Sequence, residues 1–162
     1  MTAEFPIRPM SPSDTGRLRE IAALSFSRLM AFFAIHSLLS NEGHVLVSET
    51  QGTVVGFAKL IEFNIASKKF GCILWIATHP DFRRKGVAHA LTIEGIKHLK
   101  RNGAAAVFAS TQRRNAAALV VLSQNGFRRI GFLELQRLFA WRVLQFYSDI
   151  WLAPGEVVLI HC

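Results

Sequence analysis

The chain has 162 residues, of which 51% are hydrophobic and 19% charged, with a net charge of +8. That is enough for one domain with a sizeable core, short for two, and too apolar for a disordered segment. No basic flank followed by an apolar run opens the chain, and the longest nearly uncharged stretch, Leu29 to Asn41, is too short and too interrupted to span a membrane. The expectation is therefore a single cytoplasmic domain over residues 1–162. Cys72 and Cys162 have no metal-ligand spacing and read as ordinary thiols.

Phe5 to Met10 reads as a short first strand, confined to an edge by its prolines. Ser11-Pro12-Ser13-Asp14 has the caps and early acid of a helix start, and Leu18, Ile21, Ala22 and Phe26 then share one helical face. A second helix, Arg28 to Leu39, is rich in apolar side chains and is read as core packing. His44 to Glu49 alternates as a strand, Gln51-Gly52 marks a hairpin, and Val54 to Phe63 is the paired strand, with a bulge suggested at Gly56. Residues 64–69 form a polar connection into the next strand.

The centre of the chain is the stretch Cys72 to Arg101. An apolar strand, 72–78, meets the polar turn His79-Pro80-Asp81-Phe82-Arg83-Arg84-Lys85-Gly86, and a helical pattern runs from Val87. The first N–H groups of a helix lack internal acceptors, and the dipole places partial positive charge there. A loop that feeds such a helix cradles phosphate, and Gly86 lets the backbone come close. Asn102-Gly103 stops this helix, and Ala104 to Ser110 is a short apolar strand of buried type. Two strands joined by a helix are parallel. A helix from Asn115 to Gln124 follows, then two expected last strands, Phe127 to Leu133 and Leu138 to Phe146.

Arg83-Arg84-Lys85-Gly86-Val87-Ala88 is similar to the Gln/Arg-x-x-Gly-x-Gly/Ala motif of the GNAT N-acetyltransferase superfamily. Asn115, Ala118 and Gly126-Phe127 stand at the spacing of that family's Asn-x-x-Ala…Gly-Phe segment, in the family's order. The resemblance covers residues 5–132. It implies a single α/β domain with a mixed, mostly antiparallel sheet of about six to seven strands. A central parallel pair would splay, and about four helices would flank the sheet. It also implies acetyl-CoA as co-substrate and an amine as acceptor. The cofactor's arm would pair with backbone near Ile76, Ala77 and Thr78. Arg83, Arg84, Lys85, Gly86, Val87, Ala88 and His89 would hold the pyrophosphate, and Asn115 would reach the arm or thiol end. In the family, the region of the second helix shapes the acceptor site, so Arg28 to Leu39 has that alternative role.

The chain departs from the family at two places. The tyrosine that often serves as general acid is replaced by Leu122, and the central strand lacks the glutamate that some relatives use. Glu62 is the best remaining carboxylate for a base, and Tyr147, the only tyrosine, is the remaining candidate acid. His79 reads as structural or solvent-facing. His89 and His98, nine apart on one helix, point to opposite sides and cannot share a metal, so no metal is expected. The missing groups motivate an alternative, a non-catalytic acyl-CoA sensor. The positive charge motivates another, a nucleic-acid-binding module. The charge is scattered and no aromatic-glycine RNA motif is present, so specific nucleic-acid binding is not expected. The apolar stretch 138–162 reads as strands completing the sheet plus a homodimer contact.

Overall fold

The computed structural model describes residues 5–162. Two compact units make up the chain: 5–60 with 75–95, and 61–74 with 96–162.

The first unit opens with β1 (Ile7–Pro9), which pairs antiparallel with β2 (His44–Thr50) through Ile7 and Ser48. Ser11 and Asp14 cap each other across a 3-10 turn, and α1 (Thr15–Ser25) follows. Leu18, Ile21 and Ala22 are buried in one cluster with Val47, Val54 and Phe57. Ser27 caps α2 (Arg28–Leu39) by accepting from the Met30 N–H at 3.4 Å. Here the expected core helix is only partly that. Small residues and one leucine, Ala31, Ala34 and Leu38, are buried, while Leu29, Phe32 and Phe33 stand exposed.

β2 pairs with β3 (Thr53–Ile65), and the register slips by one residue between Ser48 and Glu49, leaving Val55 as the extra residue beside Gly56. The bulge thus lies next to the glycine named from the sequence. Gly56 has its own reason. A Cβ there would lie 2.8 Å from Val87 Cγ1 and 3.0 Å from the Ala77 carbonyl oxygen. Only glycine lets the start of α3 (Val87–Arg101) come this close to the strand.

In the second unit, β3 turns into β4 (Lys68–Thr78) through Ala66 and Ser67, both at positive φ, as a two-residue primed turn requires. The expected six-residue connection is therefore a tight hairpin. β4 pairs parallel with β5 (Val107–Gln112) over three residues only, Gly71, Cys72 and Ile73 against Val107, Phe108 and Ala109. α4 (Ala116–Gln124) leads to β6 (Arg128–Ile130), and the chain ends in β7 (Glu156–His161), antiparallel to both β5 and β6. The seven strands form one mixed sheet in the order β1-β2-β3-β4-β5-β7-β6.

Between β6 and β7 the sequence reading is corrected. Residues 138–146, read as a strand, belong to helices: α5 (Phe132–Phe139), a 3-10 turn over Ala140–Arg142, and α6 (Val143–Asp149). The preceding strand is only three residues long. Leu135, Phe139, Val143, Phe146 and Ile150 are the buried residues, spaced by three or four, which is a helical period. Their rings meet those of Phe63, Phe70 and Phe108 in an aromatic core, with Phe108 and Phe146 edge-on at 4.7 Å. Among the described residues, α5 and α6 add two helices to the four read from the sequence. Among the described residues, no helix is long and apolar enough to cross a membrane.

Candidate functional site

The strand–loop–helix stretch lies in the first unit. Ala77 is buried at the end of β4, with Ile76 and Thr78 half-buried beside it. The His79 N–H donates to the carbonyl of the bulged Val55 at 2.8 Å, which fixes where the loop leaves the sheet. His79 is structural. Its Nδ1 accepts from the Asp81 N–H at 3.2 Å, capping a 3-10 turn over Pro80–Phe82, and its ring packs edge-on against Phe82.

The three cations have different positions. Arg83 folds back, with Nε donating to the Thr78 carbonyl at 3.2 Å and its guanidinium 3.4 Å from Ser25 Oγ. It therefore binds the end of α1 to the end of β4. Lys85 lies over the Phe82 ring at 5.3 Å, and Arg84 is exposed. Ser25 was not visible as a site residue, because it is 58 positions from Arg83 and no local pattern links them.

Arg84 has φ +61° and Gly86 φ +94°. Reversals of φ sign in consecutive residues turn successive N–H groups toward one concavity. The space where a Gly86 side chain would stand is open, with no atom within 4 Å. α3 hydrogen bonding begins with the Ala90 N–H donating to the Gly86 carbonyl at 3.0 Å. Val87, Ala88 and His89 thus form the first turn, ahead of the ladder. A phosphate fits these features: positive helix end, local cations and room for close backbone approach.

The other predicted residues lie in the second unit. Asn115 caps α4, its Oδ1 accepting from the Ala118 N–H at 3.2 Å, and its side chain is exposed. Gly126, at φ +86°, leaves only 3.2 Å between a hypothetical Cβ and the His161 ring, so the glycine of the Gly-Phe pair answers both a turn and a close approach. Glu62, half-buried on β3, accepts from Asn102 Nδ2 at 2.6 Å and lies 3.5 Å from Lys69 Nζ. Tyr147, on α6, packs partly buried against the aromatic core. Leu122 is buried as well.

One charged residue went unnoticed. Lys59, in the middle of β3, is 1% exposed and lies 3.5 Å from Ser40 Oγ; its ammonium also donates to the Glu42 carbonyl. Burial pushes its pKa down, and the nearby Glu42 charge pulls the other way. A lone lysine among apolar neighbours, Val54 to Ile61, was the available signal.

Comparison with known proteins adds to this geometry. A curated mycothiol acetyltransferase from Saccharomonospora viridis is 29% identical over 94 residues, covering 55% of this chain. The match spans 31% of that relative's length. Among solved structures, the ribosomal-protein-S18-alanine N-acetyltransferase from Escherichia coli superposes with a TM-score of 0.67 at 18% identity, covering 98% of this chain and 93% of that one. The PaiA N-acetyltransferase from Thermoplasma acidophilum, solved in complex with coenzyme A, gives 0.68 at 17% identity over 98% and 99%. The family described as the acetyltransferase (GNAT) family matches residues 14–127, and the chain belongs to it.

Proposed function

We propose that this protein transfers an acetyl group from acetyl-CoA to a primary amine, either a small molecule or a peptide or protein N-terminus, by direct attack. The observation that carries this reading is the loop of Arg84 to Gly86. Positive φ at both ends of the loop and open space at the Gly86 Cβ position stand ahead of the α3 first turn. Acetyl-CoA supplies an activated acyl thioester. The backbone of Ile76 to Thr78 pairs with its arm, Arg84, Lys85 and the first turn of α3 hold its pyrophosphate, and Asn115 serves the arm or the thiol end. Arg83 holds the loop in place from behind. The exposed Leu29, Phe32 and Phe33 of α2 support an apolar wall for the acceptor.

In the reaction, the neutral amine attacks the thioester carbonyl carbon. The new C–N bond forms, the C–S bond breaks, and the thiolate leaves. A base takes the surplus amine proton, either a carboxylate such as Glu62, a histidine or a chain of waters. A thiolate leaves without a dedicated acid, so the reading does not require Tyr147. Rate acceleration then rests on positioning and on backbone polarisation of the carbonyl.

Calorimetric titration with acetyl-CoA tests this. The native chain is expected to bind in the micromolar range. Gly86→Glu should fold, with unchanged circular dichroism, and lose binding by at least about a hundredfold, because bulk and negative charge enter the cradle. Native protein that ignores acetyl-CoA would sink the reading. A second reading, an acyl-CoA sensor without turnover, is favoured by the buried Leu122. Binding without thiol release across a broad amine panel would decide for it.

A further inference from the structure

The C-terminal helices present a surface that the acetyl-transfer reading does not use. α5 and α6 both rest on the strands of the second unit. Phe139 of α5 meets Phe70 at 5.2 Å, Phe146 of α6 meets Phe108 at 4.7 Å, and the two helix rings stack on each other at 4.9 Å. With their buried faces on the same strands, the opposite faces of both helices look outward on one side. Those faces carry large apolar side chains among exposed polar ones, Gln136, Arg137, Gln145 and Ser148. Leu133 is 68% exposed, Leu144 74% and Trp141 78%, with Trp151 at 67% just beyond α6. Tryptophans that open to water are uncommon, and apolar side chains grouped this way mark an interaction site.

The charge around them has one dominant sign. Arg128, Arg129, Arg137 and Arg142 stand against only Glu134 and Asp149 in residues 128–151. Arg128 engages Glu134 at 2.9 Å, and the Arg142 guanidinium lies 4.8 Å from the Trp141 ring. Arg129 and Arg137 are exposed.

We propose that this face of α5 and α6 docks on an anionic lipid surface. The aromatic and leucine side chains would enter the headgroup boundary while the arginines meet lipid phosphates and carboxylates. A second copy of the chain suits the face less well. A two-fold contact sets a patch against itself, which brings Arg137 and Arg142 toward their own counterparts. A bilayer of anionic lipid complements the apolar and the basic part together.

Flotation of the 162-residue chain with phosphatidylcholine vesicles, with and without phosphatidylserine, tests the proposal. Binding is expected only to the anionic vesicles. The double variant Trp141→Ser/Leu144→Ser should lower it at least about tenfold with an unchanged melting temperature, since both side chains are solvent-exposed. Arg129→Gln and Arg137→Gln should each lower it about fivefold. No flotation with anionic vesicles would overturn the proposal, as would equal flotation of the double variant, which would reduce the effect to general basicity. Sedimentation of a dimer that the double variant dissociates would assign the face to a second copy instead.

Discussion

Arg8 is the residue on which the N-terminal region turns. Its guanidinium reaches Asp14 at 2.7 Å and Glu49 at 2.6 Å, joining β1, the start of α1 and β2. The arginine and the Ser11 N–H hold the Asp14 carboxyl down at about 2, below its ordinary 3.8. A carboxylate depressed on folding contributes stability above its unfolded pKa, and that stability disappears as pH falls through the folded value. The contribution is about 1–2 kcal/mol after allowance for the exposed arginine. Chemical denaturation at a series of pH values should therefore show stability falling between about pH 4 and pH 2, and Asp14→Asn should flatten that part of the curve. At this scale the sequence was informative wherever a residue's role is local. The positive-φ turn at Gly86 and the Asn115 cap of α4 follow from local residue types, as does the Ser11–Asp14 cap. Ser25 and Lys59 depend on partners distant in sequence, and no local pattern reports those.

Elements were legible where their periodicity was clean, as in α1 and in β2. They were misread where aromatic content outweighed spacing. Residues 132–149 hold Phe, Leu and Trp, all acceptable in strands, but their burial recurs every three or four residues around the aromatic core. The joint between α5 and the following turn is also strained. Ala140 adopts φ 51° and ψ −128°, a region open mainly to glycine. Ala140→Gly is expected to stabilise the protein by about 1 kcal/mol, the relief of strain exceeding the added freedom of the unfolded chain. Equilibrium urea unfolding measures this, and a loss of stability would mean that the joint is relaxed with alanine.

For the molecule as a whole, the proposed transfer to an amine makes the acceptor the group that would set the pH dependence. An α-amino group with pKa near ~8 and a lysine-like amine near ~10.4 differ in neutral fraction at pH 7 by a factor of a few hundred. With direct attack by the neutral amine, kcat/KM rises about tenfold per pH unit below the acceptor's pKa and then levels. A plateau near pH 8 identifies an N-terminal amine, and a rise continuing past pH 9 identifies a lysine-like one. A flat profile from pH 6 to 9 would contradict attack by the free amine. Family membership rests on 14–127, so the helices after β6 lie outside the matched region. They are also the part least legible in the sequence.

The placement of the tryptophans has an optical consequence. Trp75 packs edge-on against Phe26, while Trp141 and Trp151 stand in water. Most of the folded chain's indole emission is therefore already at the long wavelengths usual for an unfolded protein. Heating will move the spectrum little, and a melt followed by emission will understate the transition that circular dichroism records. The same placement makes the two surface indoles a built-in dye. A shift to shorter wavelength at constant fold signals that something has covered them.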